Sequence, residues 1–462
     1  MSISPELQGL ASLAIATKLE SLPDQLVREL KYLVLDSIGC ALAGIRTDPG
    51  RMFIDLGKTL GGTSESSLIG GGCKVSCVNA AMVNGQLINM IDYDALMPGH
   101  HTPPYIIAPS LAMAEREQAS GADFLVSIAV GSEIAGRVGN AVSEGFSFQG
   151  ADGTIFTWSE RWGHAFCNFG VAAAVGKLLK LDTDKLVNAM GLSGHLCQVP
   201  TWRRFTFSEH RSMAKYGVPG WQNTGGVIAA LLAQMGYMGD TTVFDDKEGF
   251  WKYAGYEAWN PENILKDIGS TWIMQRINYK PYPCCRMFQS ELDCVLKIVE
   301  ENKLNPEEIE AVNIYGHPAL EAPLFTNREI TNIVDIQFNA SYIIAMAVNG
   351  VTKGVEWQDL ETARSPLILA FAEKVSCQSY PEYGQKQMSI VEVVARNHVF
   401  REEKPFSELT KLTEKDVIEK YRHNASGILS HDKIEDSINT ILELEKVNNI
   451  RNLVSQVTGQ GK

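Results

Sequence analysis

The chain has 462 residues, 45% hydrophobic and 21% charged, an ordinary globular composition long enough for two hydrophobic cores. Its formal charge of −13 and pI near 5.3 exclude the basic face that nucleic acid or an anionic membrane surface requires, so an anionic substrate has to be held by local cations. Nine cysteines spread from Cys40 to Cys377 do not form a secreted disulfide framework and point to a reducing compartment, the cytoplasm by default.

The N-terminal segment lacks the basic and apolar blocks of a signal peptide, and no apolar run reaches the ~18 residues of a membrane span, so it reads as the first helix of the fold. Over residues 26–44, Leu30, Leu33, Val34, Ile38 and Leu42 recur at helical spacing. Helical stretches follow at 85–90, 107–119, 122–142, 169–181, 183–192 and 225–236, with enough Gly and Ala for close helix contacts. Asp182 and Thr183 mark a helix start, and Gly236 with Gly239 closes a helix before a loop-rich segment at 240–269. Gly70 to Gly72 reads as a turn, because no Lys-Ser/Thr follows to make a phosphate loop.

The texture then changes. Residues 309–316 (IEAVNIYG) and 388–396 (MSIVEVVAR) are short, β-branched and bounded by polar residues, as strands are. Helical stretches at 289–302 and 338–347 lie between them. The expected organisation is a large all-helical domain (1–267), an α+β lid domain (268–405) and C-terminal helices (406–462) that return to the first domain. Thr413 with Asp416 opens one of these helices, and the last is expected over 434–454.

The densest polar cluster lies in NGQLINMIDYDALMPGHH (84–101), where Asp92, Asp94, His100 and His101 fall within ten residues. Histidine titrates near neutrality and a neighbouring carboxylate holds its tautomer, so such a pair suits general acid–base work; a solvated loop with a capping Asp is the competing reading. Two Asp and two His could also ligate a metal, but no HxxxH or CxxC element supports that. His164, Lys215 and Lys280 each precede or open an element, and taken singly they read as a structural histidine and two surface charges. An acidic protein that binds a polyanion nevertheless needs such cations in its cleft, with Arg203, Arg204, Arg211 and Arg286 as further candidates.

Taken in order, these motifs resemble the MmgE/PrpD family, which includes 2-methylcitrate dehydratases, cis-aconitate decarboxylases and iminodisuccinate epimerases. LDSIGCALAG (35–44) resembles its D-x-x-G-x-x-L-A-G helix, NGQLINMIDYDAL its N-G-x-x-x-H-x-L-D-F-D-D motif, and the loop holding His100 and His101 its His-Pro loop. Lys215 matches its K-x-x-x-x-G entry, Lys280 its K-P-Y-P-x-C motif, and Tyr342 its A-x-F-S-x-x-Y stretch. The resemblance implies a homodimeric lyase without an obligatory cofactor, acting on a small di- or tricarboxylate between a helical and an α+β domain. An epimerase or isomerase, or a diverged relative that only binds ligand, is the alternative. The implied catalytic residues are Asp92, His101, His164, Lys215, Lys280 and Tyr342, with His100, Arg204, Arg286 and Gln289 as substrate contacts. In the implied mechanism Asp92 orients His101, and both lysines hold substrate carboxylates. Asn89, Ala95 and Gln289 depart from the family pattern.

Overall fold

The computed structural model describes residues 3–97, 101–142, 146–149, 155–159, 162–208, 212–380, 382 and 386–459. Helices dominate the first part of the chain. Ser4 accepts from the Leu7 N–H (3.3 Å) and Pro5 occupies the first turn, which starts α1 (Pro5–Ala16). Pro23 precedes α2 (Asp24–Gly44), which buries fifteen of its 21 residues and so runs through the core rather than over it. The chain continues through α3 (Asp48–Leu60), α4 (Cys77–Asn89), α5 (Pro103–Glu117), α6 (Gly121–Val142), α7 (Cys167–Leu178), α8 (Thr183–His195) and α9 (Pro219–Gln234). Between α6 and α7, β1 (Phe146–Gln149) and β2 (Ile155–Trp158) form an antiparallel hairpin that the sequence pattern did not indicate.

Small residues let these helices touch backbone to backbone. A Cβ on Gly131 would lie 2.9 Å from the Gly170 carbonyl oxygen where α6 crosses α7, and a Cβ on Gly220 would run into the Met82 carbonyl where α9 crosses α4. Asn223 on α9 donates to the carbonyls of Ala81 (3.1 Å) and Pro104 (2.9 Å), tying α4, α5 and α9 into one unit. The turn after α4, the loop before α5 and the loop before α9 are thereby fixed relative to one another.

The second part is α+β. Its four-stranded mixed sheet has the order β4-β3-β5-β6, built from β3 (Ile309–Gly316), β4 (Val375–Ser379), β5 (Met388–Ala395) and β6 (His398–Pro405). β3 pairs parallel with β4 and antiparallel with β5, whose hairpin partner is β6. Helices α10 (Gln289–Glu301), α11 (Ala340–Val348) and α12 (Pro366–Ala372) accompany it. Its core also takes in Cys40, Ala43, Met90, Ile91, Tyr93, Phe205 and Tyr216 from the helical part, so the chain from Met90 to Tyr93 lies on the seam between two cores.

After the sheet the chain returns to the helical core. Thr413 and Asp416 form the expected capping box of α13 (Glu414–Ala425), which packs on α2. The single helix expected over 434–454 is two, α14 (His431–Leu442) and α15 (Arg451–Val457). Asn449 breaks it by accepting from the Arg451 N–H (3.0 Å), and the Val447 carbonyl turns aside to accept from Gly121 N–H (2.7 Å). No helix among the described residues is long and apolar enough to cross a membrane.

Candidate active site

Helix α4 ends at Asn89, and three residues later Asp92 adopts a left-handed backbone (φ 53°), a conformation a short polar side chain tolerates. The turn points the Asp92 carboxylate inward between two lysines. Oδ1 accepts from Lys215 Nζ (3.2 Å) and Oδ2 from Lys280 Nζ (2.7 Å). Lys215, itself left-handed (φ 49°), also donates to the Asn89 carbonyl (2.6 Å), and Lys280 to the Asp92 carbonyl (2.8 Å).

None of the three is exposed beyond 5%. Burial opposes the Asp92 charge, but the two ammonium groups overrule it and hold the carboxyl well below the usual range. Burial pulls Lys215 down despite Asp92; for Lys280 burial also pulls down, but the carboxylates of Asp92 and Asp94 together outweigh it and the ammonium is pulled up. A third buried cation supports the turn from behind. Lys420 pairs with Asp36 (2.7 Å) and donates to the carbonyls of Tyr93 (2.7 Å) and Lys280 (3.1 Å).

Asp94 points to the other side. Its Oδ2 lies 3.1 Å from His101 Nδ1, and its Oδ1 accepts from Asn89 Nδ2 (3.0 Å). The carboxylate that orients His101 is therefore Asp94, not Asp92 as the resemblance suggested, because both oxygens of Asp92 are taken by lysines. Pairing Nδ1–H with Asp94 leaves the ring's lone pair on His101 Nε2. The His101 N–H donates to His164 Nε2 (3.5 Å), and Tyr105 OH lies 3.3 Å from His164 Nδ1, so the two imidazoles come to 6.1 Å between ring centroids. Asn89, which replaces the family's usual histidine, joins Asp94 to Tyr216 by a second Nδ2 bond to the phenol oxygen (2.7 Å). The Tyr216 ring stacks on His101 at 5.2 Å and on Trp202 at 4.5 Å.

Five expected residues thus converge: Asp92, His101, His164, Lys215 and Lys280. The lysines that read singly as surface charges are buried, with charge-paired heads. Tyr342 does not join them; it lies in the α+β core and its hydroxyl donates to the Arg328 carbonyl (2.9 Å). Arg204 is solvent-exposed, and Arg286 donates to Asn278 Oδ1 (2.8 Å), with burial lowering its pKa to about 10. Gln289 is buried and spends its amide hydrogens on the Tyr282 carbonyl (3.4 Å) and Cys284 Sγ (3.8 Å). His100 and Arg211 lie outside the described residues. Asp94 and Tyr216 are the members that sequence reasoning did not assign, although Asp94 stood in the acidic cluster and Tyr216 follows Lys215. Among the described residues no group of three or more His, Cys, Asp or Glu side chains converges as a metal site.

The arrangement can be set beside known proteins. The chain is 24% identical to a cis-aconitate decarboxylase of Aspergillus terreus, covering 94% of this chain and 92% of that one. It is 23% identical to a cis-aconitate decarboxylase-like protein of Aspergillus oryzae (96% and 95% covered) and 23% identical to the human cis-aconitate decarboxylase (96% and 92% covered). Residues 8–260 match the MmgE/PrpD N-terminal domain and residues 282–446 the MmgE/PrpD C-terminal domain, so the chain belongs to the MmgE/PrpD family.

Proposed function

We propose that this protein is a lyase that decarboxylates a small unsaturated tricarboxylate of the cis-aconitate type, using His101 as its proton-transfer group. The observation that carries this reading is the buried Asp94–His101 pair beside His164 (3.1 Å from carboxylate to Nδ1). Relatives matched over more than nine-tenths of the chain bear the name cis-aconitate decarboxylase, which supports the choice of reaction within the family.

Charge counting adds a constraint. With neutral imidazoles the two carboxylates, Asp92 and Asp94, balance the two ammonium groups, Lys215 and Lys280. A bound polyanion adds negative charge to this balanced site, and His101 is the acid that the reaction needs. The bond to the departing carboxylate breaks, carbon dioxide leaves, and the electron pair passes into the adjacent unsaturated carboxylate. Protonated His101 returns a proton to carbon through Nε2, and Asp94 stabilises the imidazolium before that transfer. Lys280 is fully enclosed and holds the Asp92 turn; Lys215 supplies positive potential from the edge of the same turn. The proposal carries with it the homodimer that the resemblance implies and the cytoplasmic location that the cysteine usage suggests.

The test is incubation in deuterated water with citrate-like, aconitate-like and substituted succinate acids, read by NMR. Loss of carbon dioxide with one deuteron placed on carbon is the expected result. Loss of water, or exchange without loss of any group, would replace decarboxylation by dehydration or epimerisation.

A further inference from the structure

Tyr216 holds a hydrogen that nothing among the described residues accepts. The Asn89 amide is a pure donor to the phenol oxygen (2.7 Å), so the phenol must donate its own proton elsewhere, and no acceptor for it exists among the described residues. The residue is 3% exposed, and a buried donor without an acceptor loses the hydrogen bond that water gave it in the unfolded chain. Asn89 Oδ1, on the amide that grips the phenol, is buried and equally without a partner among the described residues.

The ring cannot turn away. It lies nearly parallel to Trp202 (4.5 Å, 12°) and His101 (5.2 Å, 25°), and His164 meets it edge-on at 5.4 Å. Burial and the carboxylates of Asp92 and Asp94 push its pKa well above the ordinary tyrosine value, so it stays a phenol and acts as a donor rather than a base. Asn89 links it through Asp94 to His101, which fixes donor and acid in one frame (3.0 Å and 3.1 Å).

We propose that Tyr216 is a catalytic residue whose phenol hydrogen bonds to a carboxylate oxygen of the substrate on which negative charge develops, with Asn89 as its positioning residue. This rests on the decarboxylase reading and extends it. No proton changes hands at Tyr216; the phenol contributes a hydrogen bond that strengthens as the electron pair arrives.

The test compares wild type, Tyr216→Phe and Tyr216→Leu in turnover of cis-aconitate and in calorimetric binding of tricarballylate, an unreactive tricarboxylate. Tyr216→Phe keeps the ring packing and is expected to lower kcat about 10²-fold, the usual effect of removing one donor to a developing oxyanion, with KM changed less than about threefold. A purely packing role predicts the reverse ranking, with Phe near wild type and only Leu impaired, and that result overturns the proposal. If wild type binds tricarballylate but reacts with no acid, the decarboxylase reading fails while Tyr216 is judged by binding alone: weaker binding to Tyr216→Phe supports the contact and equal binding refutes it. A wild type that neither reacts with nor binds any of these acids overturns both.

Discussion

Replacing Asp92 by Asn separates a structural carboxylate from a catalytic one. In the folded protein Asp92 is the counter-ion of two lysines exposed by 5% and 0%. The neutral amide leaves two buried ammonium groups without a carboxylate: its one oxygen accepts from a single lysine, and what else remains is the backbone carbonyl of Asn89 for Lys215 and that of residue 92 for Lys280. Removing one partner of a buried pair costs about 3–5 kcal/mol, and here a single change uncovers two charges, so the loss is expected at the upper end of that range. The left-handed backbone at residue 92 does not add to this, because Asn accepts φ near 53° as readily as Asp. Urea unfolding followed by far-UV circular dichroism at pH 7 measures the loss, and a shift in midpoint at constant slope converts directly to free energy. Raising the pH discharges the lysines and should recover part of the stability of Asp92→Asn relative to wild type. A loss below about 1 kcal/mol would refute the assignment of Asp92 as counter-ion to both lysines.

Other substitutions probe neighbouring groups. Asp94→Asn keeps the shape of the site but removes the carboxylate that holds the His101 tautomer; turnover should fall by ~10²- to 10⁴-fold, checked by steady-state kinetics beside an unchanged circular dichroism spectrum. Tyr342→Phe loses a hydrogen bond to the Arg328 carbonyl, which should cost about 1 kcal/mol in a urea melt and leave turnover within about twofold of wild type. Glu291 is a buried carboxylate bonded to the hydroxyls of Ser389 (2.8 Å) and Ser290 (3.0 Å), and burial pushes its pKa up to about 7 from 4.5. The folded state keeps a proton that the unfolded state loses between pH 4.5 and 7, so this residue's contribution is fully favourable below that window and fades as pH rises through it. Glu291→Gln should therefore stabilise the protein by up to ~3 kcal/mol at pH 8, and by far less at pH 4.5, in paired thermal melts; an equal effect at both pH values would contradict the reading.

Much of the frame was legible in local patterns. Helix α2 announced itself by apolar spacing, α8 by Asp182, α13 by Thr413 and Asp416, and β3 and β5 by their β-branched runs. Other elements were opaque for physical reasons. β4 is only five residues long and β6 is half-exposed or exposed throughout, and their pairing depends on β3 and β5 arriving beside them. The break between α14 and α15 is decided by Asn449 and by a contact with Gly121, more than 300 positions away. In the site, order along the chain identified the members but not their pairing. Asp92 and Asp94 are two residues apart and face opposite ways because the chain turns left-handed at Asp92. Tyr342 shows the converse: a motif position can match while its hydroxyl is spent inside the second core.

The central claim is that His101, held by Asp94, returns a proton to carbon as carbon dioxide leaves a tricarboxylate. It is tested most directly by ¹³C NMR of labelled cis-aconitate in deuterated water with wild type and with His101→Ala. The account predicts labelled carbon dioxide and a monodeuterated dicarboxylate from wild type, and loss of both from His101→Ala. Equal rates from the two proteins, or no carbon dioxide from wild type, would contradict it.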